Sequence, residues 1–246
     1  MTKKILGFFA LATALSVGSL SAAEPAPLAH ERLSYSWHLK GGLTWLARLA
    51  FPSSGRGTLE TQESSTVNSR LTINASDSKG YYLYESQMLP EGIKTLTSRN
   101  AYAYGSSSRD ERVAFDVANR VAHVSRTTNE GSETKTHRLE SATPQDVLTS
   151  IYYLRQHADE IRTPKHAEIF SGAHGYDVLY VPGPAAPMRV GGVETPVRAF
   201  AIKAVGTDAQ KFPGEVHVWL TDDARALPVR IDIEQKYATI KLDLQP

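Results

Sequence analysis

The sequence contains no cysteine, and that absence removes disulfides, thiolate metal sites and thiol nucleophiles together. It also lacks a cationic excess. Overall, 27 Lys+Arg face 26 Asp+Glu, and beyond the first 23 residues, which hold Lys3 and Lys4 and no acid, 25 cations face 26 acids over 223 residues. Phosphate binding over a broad surface needs a clear excess of cations, so a general nucleic-acid binder is excluded. After the N-terminal segment no run of ~18 consecutive apolar residues occurs, which argues against a membrane-spanning helix. No repeat of fixed period is present, nor a P-loop, a Gly-x-Gly-x-x-Gly fingerprint, a Gly-x-Ser-x-Gly elbow or a His-Glu-x-x-His helix. Gly55-Arg56-Gly57 lacks the third glycine and the strand-to-helix setting that a phosphate cradle needs. What is present is a composition able to bury a core: 41% hydrophobic residues, with 11 Tyr, 7 Phe and 3 Trp.

Residues 1–23 read as a signal peptide. Lys3 and Lys4 form a positive start, Ile5 to Val17 is mostly apolar, and Ser21-Ala22-Ala23 places small residues before a cut after Ala23. Thr13 and Ser16 interrupt an apolar stretch already short for a bilayer. With no cysteine to carry a lipid anchor, the expected location is the periplasm, with the extracellular space as the alternative. Residues 24–30 form a leader, EPAPLA followed by His30, and 31–246 a single β-rich domain.

Period-two alternation dominates that domain, as half-buried strands require. Leu33, Tyr35, Trp37 and Leu39 fall on one face. Val67 to Ala75 and Tyr81 to Met88 flank the turn signal Asp77-Ser78-Lys79-Gly80, with Tyr82 and Tyr84 sharing a face. Arg112 to Asp116 and Val121 to Arg126 form a second expected hairpin, and Thr134 to Leu139 a polar strand. His166 to Phe170 and Tyr176 to Val181 make a third hairpin, followed by a Pro-rich loop, Pro182 to Pro187 (PGPAAP). Val193 to Val205 is a long alternating strand, and Glu215 to Leu220, Leu227 to Glu234 and Ala238 to Leu244 form a terminal meander. Its inward residues are either Val216, Val218 and Leu220 or His217 and Trp219; alternation cannot choose.

One helix is expected, with Thr143 as N-cap, Pro144 at its first position and Asp146 against the positive end of its dipole. Val147, Leu148, Ile151, Tyr152 and Leu154 give a wide apolar stripe, and Arg155 suits the negative end. Parallel strands need helical crossovers that this pattern lacks. The expected fold is therefore mainly β: ten to twelve strands in a strongly curved antiparallel sheet, an unclosed barrel or half-barrel, packed on one main amphipathic helix.

Chemistry-bearing clusters are sparse. His157, His166 and His174 lack metal-ligand spacing, and His217 with Trp219 reads as a packed or exposed pair, so neither metal nor cofactor is expected. Asp222 and Asp223 sit where Asp hydrogen-bonds a turn backbone, and Pro228 opens the following strand, where a missing N–H is tolerated. No catalytic residue is assigned. The remaining signal is aromatic: Tyr35, Trp37, Tyr82, Tyr84, Phe115 and Trp219, with Ile151 and Tyr152 of the helix, either form an ordinary core or line a sheet–helix groove for an apolar ligand.

Asp146-Val147-Leu148-Thr149-Ser150-Ile151-Tyr152-Tyr153-Leu154-Arg155, together with Val218-Trp219-Leu220-Thr221-Asp222-Asp223 and Leu227-Pro228-Val229-Arg230-Ile231, resembles a bacterial secreted family of unknown function, numbered 3108. Glu31 to Tyr35 and Arg112 to Asp116 fit the same pattern, so the resemblance spans about Glu31 to Leu244. It supplies no catalytic residues. The terminal hairpin also looks like that of LolA-type periplasmic lipoprotein carriers, which implies an unclosed barrel holding acyl chains, although those carriers use more helices. The functional expectation is a non-enzymatic periplasmic envelope protein binding a lipid-like or acylated ligand. The alternative is an envelope scaffold that recognises a protein or glycan with a packed core; a hydrolase ranks last.

Overall fold

In the computed structural model, residues 30–41, 53–77, 80–91, 93–171, 174–207, 209, 212, 214–234 and 238–246 are described. The expected signal peptide, 1–23, and all of the leader except His30 lie outside the described residues. Among the described residues no helix is long and apolar enough to cross a membrane.

Among the described residues, fifteen strands and one helix follow in chain order. The first half is a meander of β1 (Glu31–Lys40), β2 (Ser54–Glu63), β3 (Val67–Ala75), β4 (Gly80–Leu89), β5 (Lys94–Tyr104), β6 (Ser107–Asp116), β7 (Val121–Thr128) and β8 (Gly131–Arg138). A two-residue strand, β9 (Gln145–Asp146), leads straight into α1 (Val147–His157). The second half is β10 (Lys165–Ser171), β11 (His174–Val190), β12 (Val193–Ala204), β13 (Val216–Thr221), β14 (Pro228–Glu234) and β15 (Thr239–Leu244). All fifteen belong to one sheet, in the order β8 to β1, then β15 back to β9. The two meanders join where β1 pairs antiparallel with β15, Tyr35 opposite Leu244 and Trp37 opposite Leu242. Only β9 runs parallel to its neighbour, β10. The sheet is curved and unclosed, with β8 and β9 at its two ends.

One face of this sheet turns inward. Tyr35, Leu59, Leu71, Val178, Tyr180, Val218, Leu220 and Leu242 are all buried in a single cluster that also takes in Leu148, Ile151 and Leu154 of α1. The terminal meander therefore turns Val216, Val218 and Leu220 inward and leaves His217 and Trp219 outside. Strand β2 offers Gly55 and Gly57 where β1 brings large rings across it, Trp37 opposite Gly55 and Tyr35 opposite Gly57. A Cβ at Gly55 would come within 1.9 Å of the Asn74 carbonyl oxygen and 2.5 Å of the Trp37 indole nitrogen, so only glycine leaves room there. The Trp37 indole donates to that carbonyl at 2.9 Å, and the Tyr35 hydroxyl donates to the Pro228 carbonyl at 2.7 Å. These polar ends are satisfied while the rings are buried.

The helix differs from the amphipathic stripe expected. Leu148, Thr149, Ser150, Ile151 and Tyr152 are buried in succession, so its first turns are enclosed on nearly every side. Its start also differs. Thr143 is exposed and its amide bonds to the Ser141 hydroxyl at 3.0 Å. Because Gln145 and Asp146 first pair with β10, the helix begins three residues later than Thr143 would cap it, with Asp146 as the N-cap and Pro144 outside it. Asp146 Oδ1 accepts from the Thr149 amide at 2.8 Å and the Thr149 hydroxyl at 3.0 Å, while Oδ2 accepts from the Ser86 hydroxyl on β4. Thr149 also meets Thr95 of β5 at 2.8 Å, and the Tyr152 hydroxyl meets Thr61 of β2. Burial pushes the Asp146 carboxyl above the usual aspartate range, against the lowering effect of Ser86 and Thr149.

Farther along the helix, Arg155 forms a two-pronged ion pair with Glu31 of β1, at 2.7 and 3.2 Å, where the two side chains are 7% and 16% exposed. Its guanidinium lies 5.2 Å from the Tyr152 ring centre. Arg198 of β12 donates to the Ala158 carbonyl at 3.2 Å, capping the helix end, and reaches Asp159 and Asp222 as well. Asp223 Oδ1 accepts from the Thr221 hydroxyl and the Arg225 and Ala226 amides at 2.8, 3.0 and 3.1 Å, which fixes the turn before Pro228 opens β14.

The PGPAAP stretch is a second departure: it lies within β11. Strand β10 pairs only with the part of β11 up to Tyr180, so the prolines line a free edge where no N–H is required. The register with β12 slips between Pro182 and Ala185, which absorbs the intervening residues as a bulge.

Two outcomes follow for stability, both measurable by urea unfolding. Asp146→Ala loses about 2–3 kcal/mol, from the lost cap and the stranded hydroxyls, whereas Asp146→Asn stays within about 1 kcal/mol of the parent at neutral pH. Because the folded-state pKa of Asp146 is raised, its contribution is fully present below the unfolded aspartate pKa and falls as pH rises toward the folded value; Asp146→Asn removes that slope. Arg155→Met loses about 3 kcal/mol by leaving Glu31 unpaired, and adding Glu31→Leu recovers most of it.

Candidate functional site

The groove residues singled out in the sequence do not stay together. Tyr35, Trp37 and Ile151 are buried in the main cluster; Tyr152 packs with Val67, Met88 and Ile93. Phe115 belongs to a separate cluster with Phe170, their rings 5.3 Å apart and edge-on. Trp219 lies on the opposite face of the sheet from Val218, between His217, 6.0 Å away, and the Arg230 guanidinium, 5.8 Å away. Trp219 therefore cannot share one groove with Tyr35, because strand pleating sends neighbouring residues to opposite faces.

Tyr82 and Tyr84 are different. They stand opposite Ile73 and Leu71, which places them on the inward face, yet both are only half-buried. Register carries that face across β5 and β6: Tyr82 opposes Tyr102, and Tyr102 opposes Arg109. The Tyr82 and Tyr102 rings are 5.9 Å apart, and the Arg109 guanidinium lies 5.4 Å from the centre of Tyr102. Burial pushes the Tyr82 phenol up to about 12, with Tyr84 and Tyr102 adding to the rise and Arg109 opposing it. The neighbouring row is electrically closed: Glu111 is 1% exposed and accepts from Arg126 at 2.7 Å, which in turn reaches Glu133 at 3.1 Å. Among the described residues, Arg109 has no carboxylate within ion-pair distance, and its Nε is sheltered from water without a hydrogen-bond partner. The inward face of β4 to β6 thus presents a half-open tyrosine shelf with one uncompensated cation. In the sequence Arg109 is one of a run of four charged residues with Asp110, Glu111 and Arg112, which by itself reads as a solvated charge cluster; register separates them, placing Asp110 and Arg112 on the outward face.

That outward face carries the second feature, a polar trough of about 1090 Å³ across β2 to β8. Its walls are paired rows, Glu60, Arg70, Glu85, Arg99 and Arg112 in one, with Asn68, Gln87, Thr97 and His123 in the other. The charges interlock: Arg70 and Arg99 both hold Glu85, at 3.2 and 3.1 Å, and Arg99 also holds Asp110 at 2.6 Å. The Arg99 bonds keep the Asp110 carboxyl below the usual range.

Polar groups near a nucleophile arrangement are enclosed. Ser86 and Asp146 are buried and line a small half-open void of about 20 Å³, room for a single water. The two Asp146 oxygens are taken up by the bonds that hold α1. On the outward face of β13 and β14, Glu215, His217 and Glu234 bring ligand-type atoms within 4.8 Å of one another.

No curated protein matches the chain. A solved structure titled as a β-barrel-like protein of domain of unknown function DUF1849 from Brucella abortus superposes with a TM-score of 0.58 over 88% of this chain and 96% of that one, at 11% identity. At that identity the likeness is one of fold, and it agrees with a curved sheet that stops short of closing. The profile of the family described as "Protein of unknown function (DUF3108)" matches residues 43–245, and the chain belongs to that family.

Proposed function

We propose that this protein is an exported, non-enzymatic envelope protein, most simply periplasmic, that binds an amphipathic ligand on the inward face of its unclosed sheet. The observation that carries the reading is the half-buried shelf of Tyr82, Tyr84 and Tyr102 beside Arg109, an apolar surface with one unspent cation at its margin. Aromatic faces take acyl or other apolar chains without demanding hydrogen bonds, and an uncompensated guanidinium selects an anionic head group. The signal-like N-terminus and the likeness of the terminal hairpin to LolA-type carriers point the same way. A binding role also agrees with the use of Ser86 and Asp146 as fasteners, buried and hydrogen-bonded to each other.

A second reading rests on the outward trough, whose hydroxyls, amides and interlocked ion pairs suit a polar polymer such as a glycan strand. Its ligand would contact Arg70, Gln87 and His123 and leave the tyrosine shelf untouched.

Export is tested by finding Glu24 as the N-terminus of the protein recovered from a periplasmic fraction. Binding is tested by native mass spectrometry and organic extraction of the purified mature protein, followed by titration with a fluorescent fatty acid. Uptake is expected, weakened about ten-fold or more by Arg109→Gln and by Tyr102→Ala. No extractable lipid and no probe uptake would sink the reading. Loss of glycan binding in Gln87→Ala, with no probe uptake by the parent, would favour the trough instead.

A further inference from the structure

On the face opposite the tyrosine shelf, and independent of it, the structure assigns a transition-metal site, best suited to zinc, to Glu215, His217 and Glu234. Glu215 and His217 are two residues apart and project from the same face of the sheet at the start of β13, and Glu234 comes from the neighbouring strand β14. The backbone beneath them is pinned, because the Glu234 amide donates to the Glu215 carbonyl at 2.8 Å. The donor atoms are therefore set by sheet geometry and do not depend on a loop.

The distances are those of a coordination edge more than of a hydrogen bond. His217 Nε2 lies 3.4 Å from Glu215 Oε2 and 3.4 Å from Glu234 Oε1. Ligands bound at ~2.0–2.1 Å around a tetrahedral zinc sit roughly 3.3–3.4 Å from one another. The imidazole nitrogen is sheltered from solvent and has no hydrogen-bond partner, although two carboxylates flank it. A nitrogen left so, aimed between two anionic oxygens, is placed where a cation would be shared by all three groups. One imidazole and two carboxylates form a borderline-hard set that zinc accepts, and the solvent side of Glu234 leaves a fourth position for water. Trp219, stacked beside His217, supports the ring and offers an optical reporter of the site.

One group competes. The Lys203 ammonium on β12 lies 3.1 Å from the same Glu215 oxygen, and its side chain is 43% exposed. It neutralises Glu215 in the metal-free protein and can swing into solvent when a metal arrives. This gives the site a signature that an incidental cluster lacks: removing a cation elsewhere on the surface does nothing, whereas removing Lys203 tightens binding.

The test is zinc titration of the untagged mature protein by isothermal calorimetry, with Trp219 fluorescence followed on addition of Ni²⁺. The expected result is one equivalent of zinc, bound at least ten-fold more weakly by His217→Gln and by Glu234→Gln, and more tightly by Lys203→Met. His166→Ala, on the exposed end of β10, leaves the affinity unchanged. Circular dichroism checks that each variant is folded. As a measurement needing no variant, Co²⁺ bound to the parent gives the intense visible bands of a tetrahedral site and competes with zinc for the same equivalent. Absence of stoichiometric zinc binding, or binding indifferent to His217 and Lys203, overturns the assignment.

Discussion

Everything in this architecture depends on a buried polar joint. The first turns of α1 carry Thr149 and Ser150, which are fully buried, directly after a buried Asp146. Unpaired in an apolar interior, such groups would each cost several kcal/mol, on the order of what a small domain can spare. They are tolerable only because Ser86 of β4 meets Asp146, Thr95 of β5 meets Thr149 and the Asp146 carbonyl takes the Ser150 hydroxyl, while Thr61 of β2 meets the Tyr152 hydroxyl one turn on. The helix therefore does more than fill a concavity. It specifies how far the sheet must curl, because hydrogen bonds to β2, β4 and β5 are met at one curvature, while apolar packing alone accepts a range. Arg155 repeats the device at the other end by taking Glu31 from β1.

A sheet of fifteen strands cannot stay flat around so short a helix. Small residues at the crossing points allow the bend: Gly55 and Gly57 let Trp37 and Tyr35 lie over β2, and Leu242 across the β1–β15 seam packs on the same floor. The pairing of β1 with β15 makes the two meanders one surface, so the core is continuous between them. Closure stops there. Strand β8, polar and exposed along nearly its whole length, ends one side, and the two-residue β9 ends the other. An unclosed sheet has two faces with different tasks, and here the chemistry divides accordingly. The inward face holds tyrosines and one unspent cation, while the outward face holds interlocked charge and the Glu215–His217–Glu234 cluster.

Much of the strand plan was legible in advance because period two is a local property. The hairpins of Val67 to Met88 and Arg112 to Arg126, and the terminal meander, occupy the strands expected of them. Errors arose where a residue's meaning depends on who sits beside it. Prolines in PGPAAP signalled a loop, yet they tolerate a strand because β10 ends before reaching them. Thr143 and Pro144 had the right types for a helix start, but a parallel partner for Gln145 and Asp146 postponed it. The candidate groove was the least legible. Aromatic content identified the right class of side chain, but burial sorted Tyr35, Trp37 and Tyr152 into the core and left Tyr82 and Tyr84 at its margin.

By itself the sequence determined that this would be a cysteine-free, charge-balanced, mainly antiparallel β protein, because composition and alternation act over a few residues at a time. Only the tertiary structure decided which face of each strand is buried, that Arg109 beside Tyr102 meets no carboxylate among the described residues, and that Glu234 meets His217 from another strand. Those outcomes are set by register between strands, and register is a relation between distant segments that no local pattern contains.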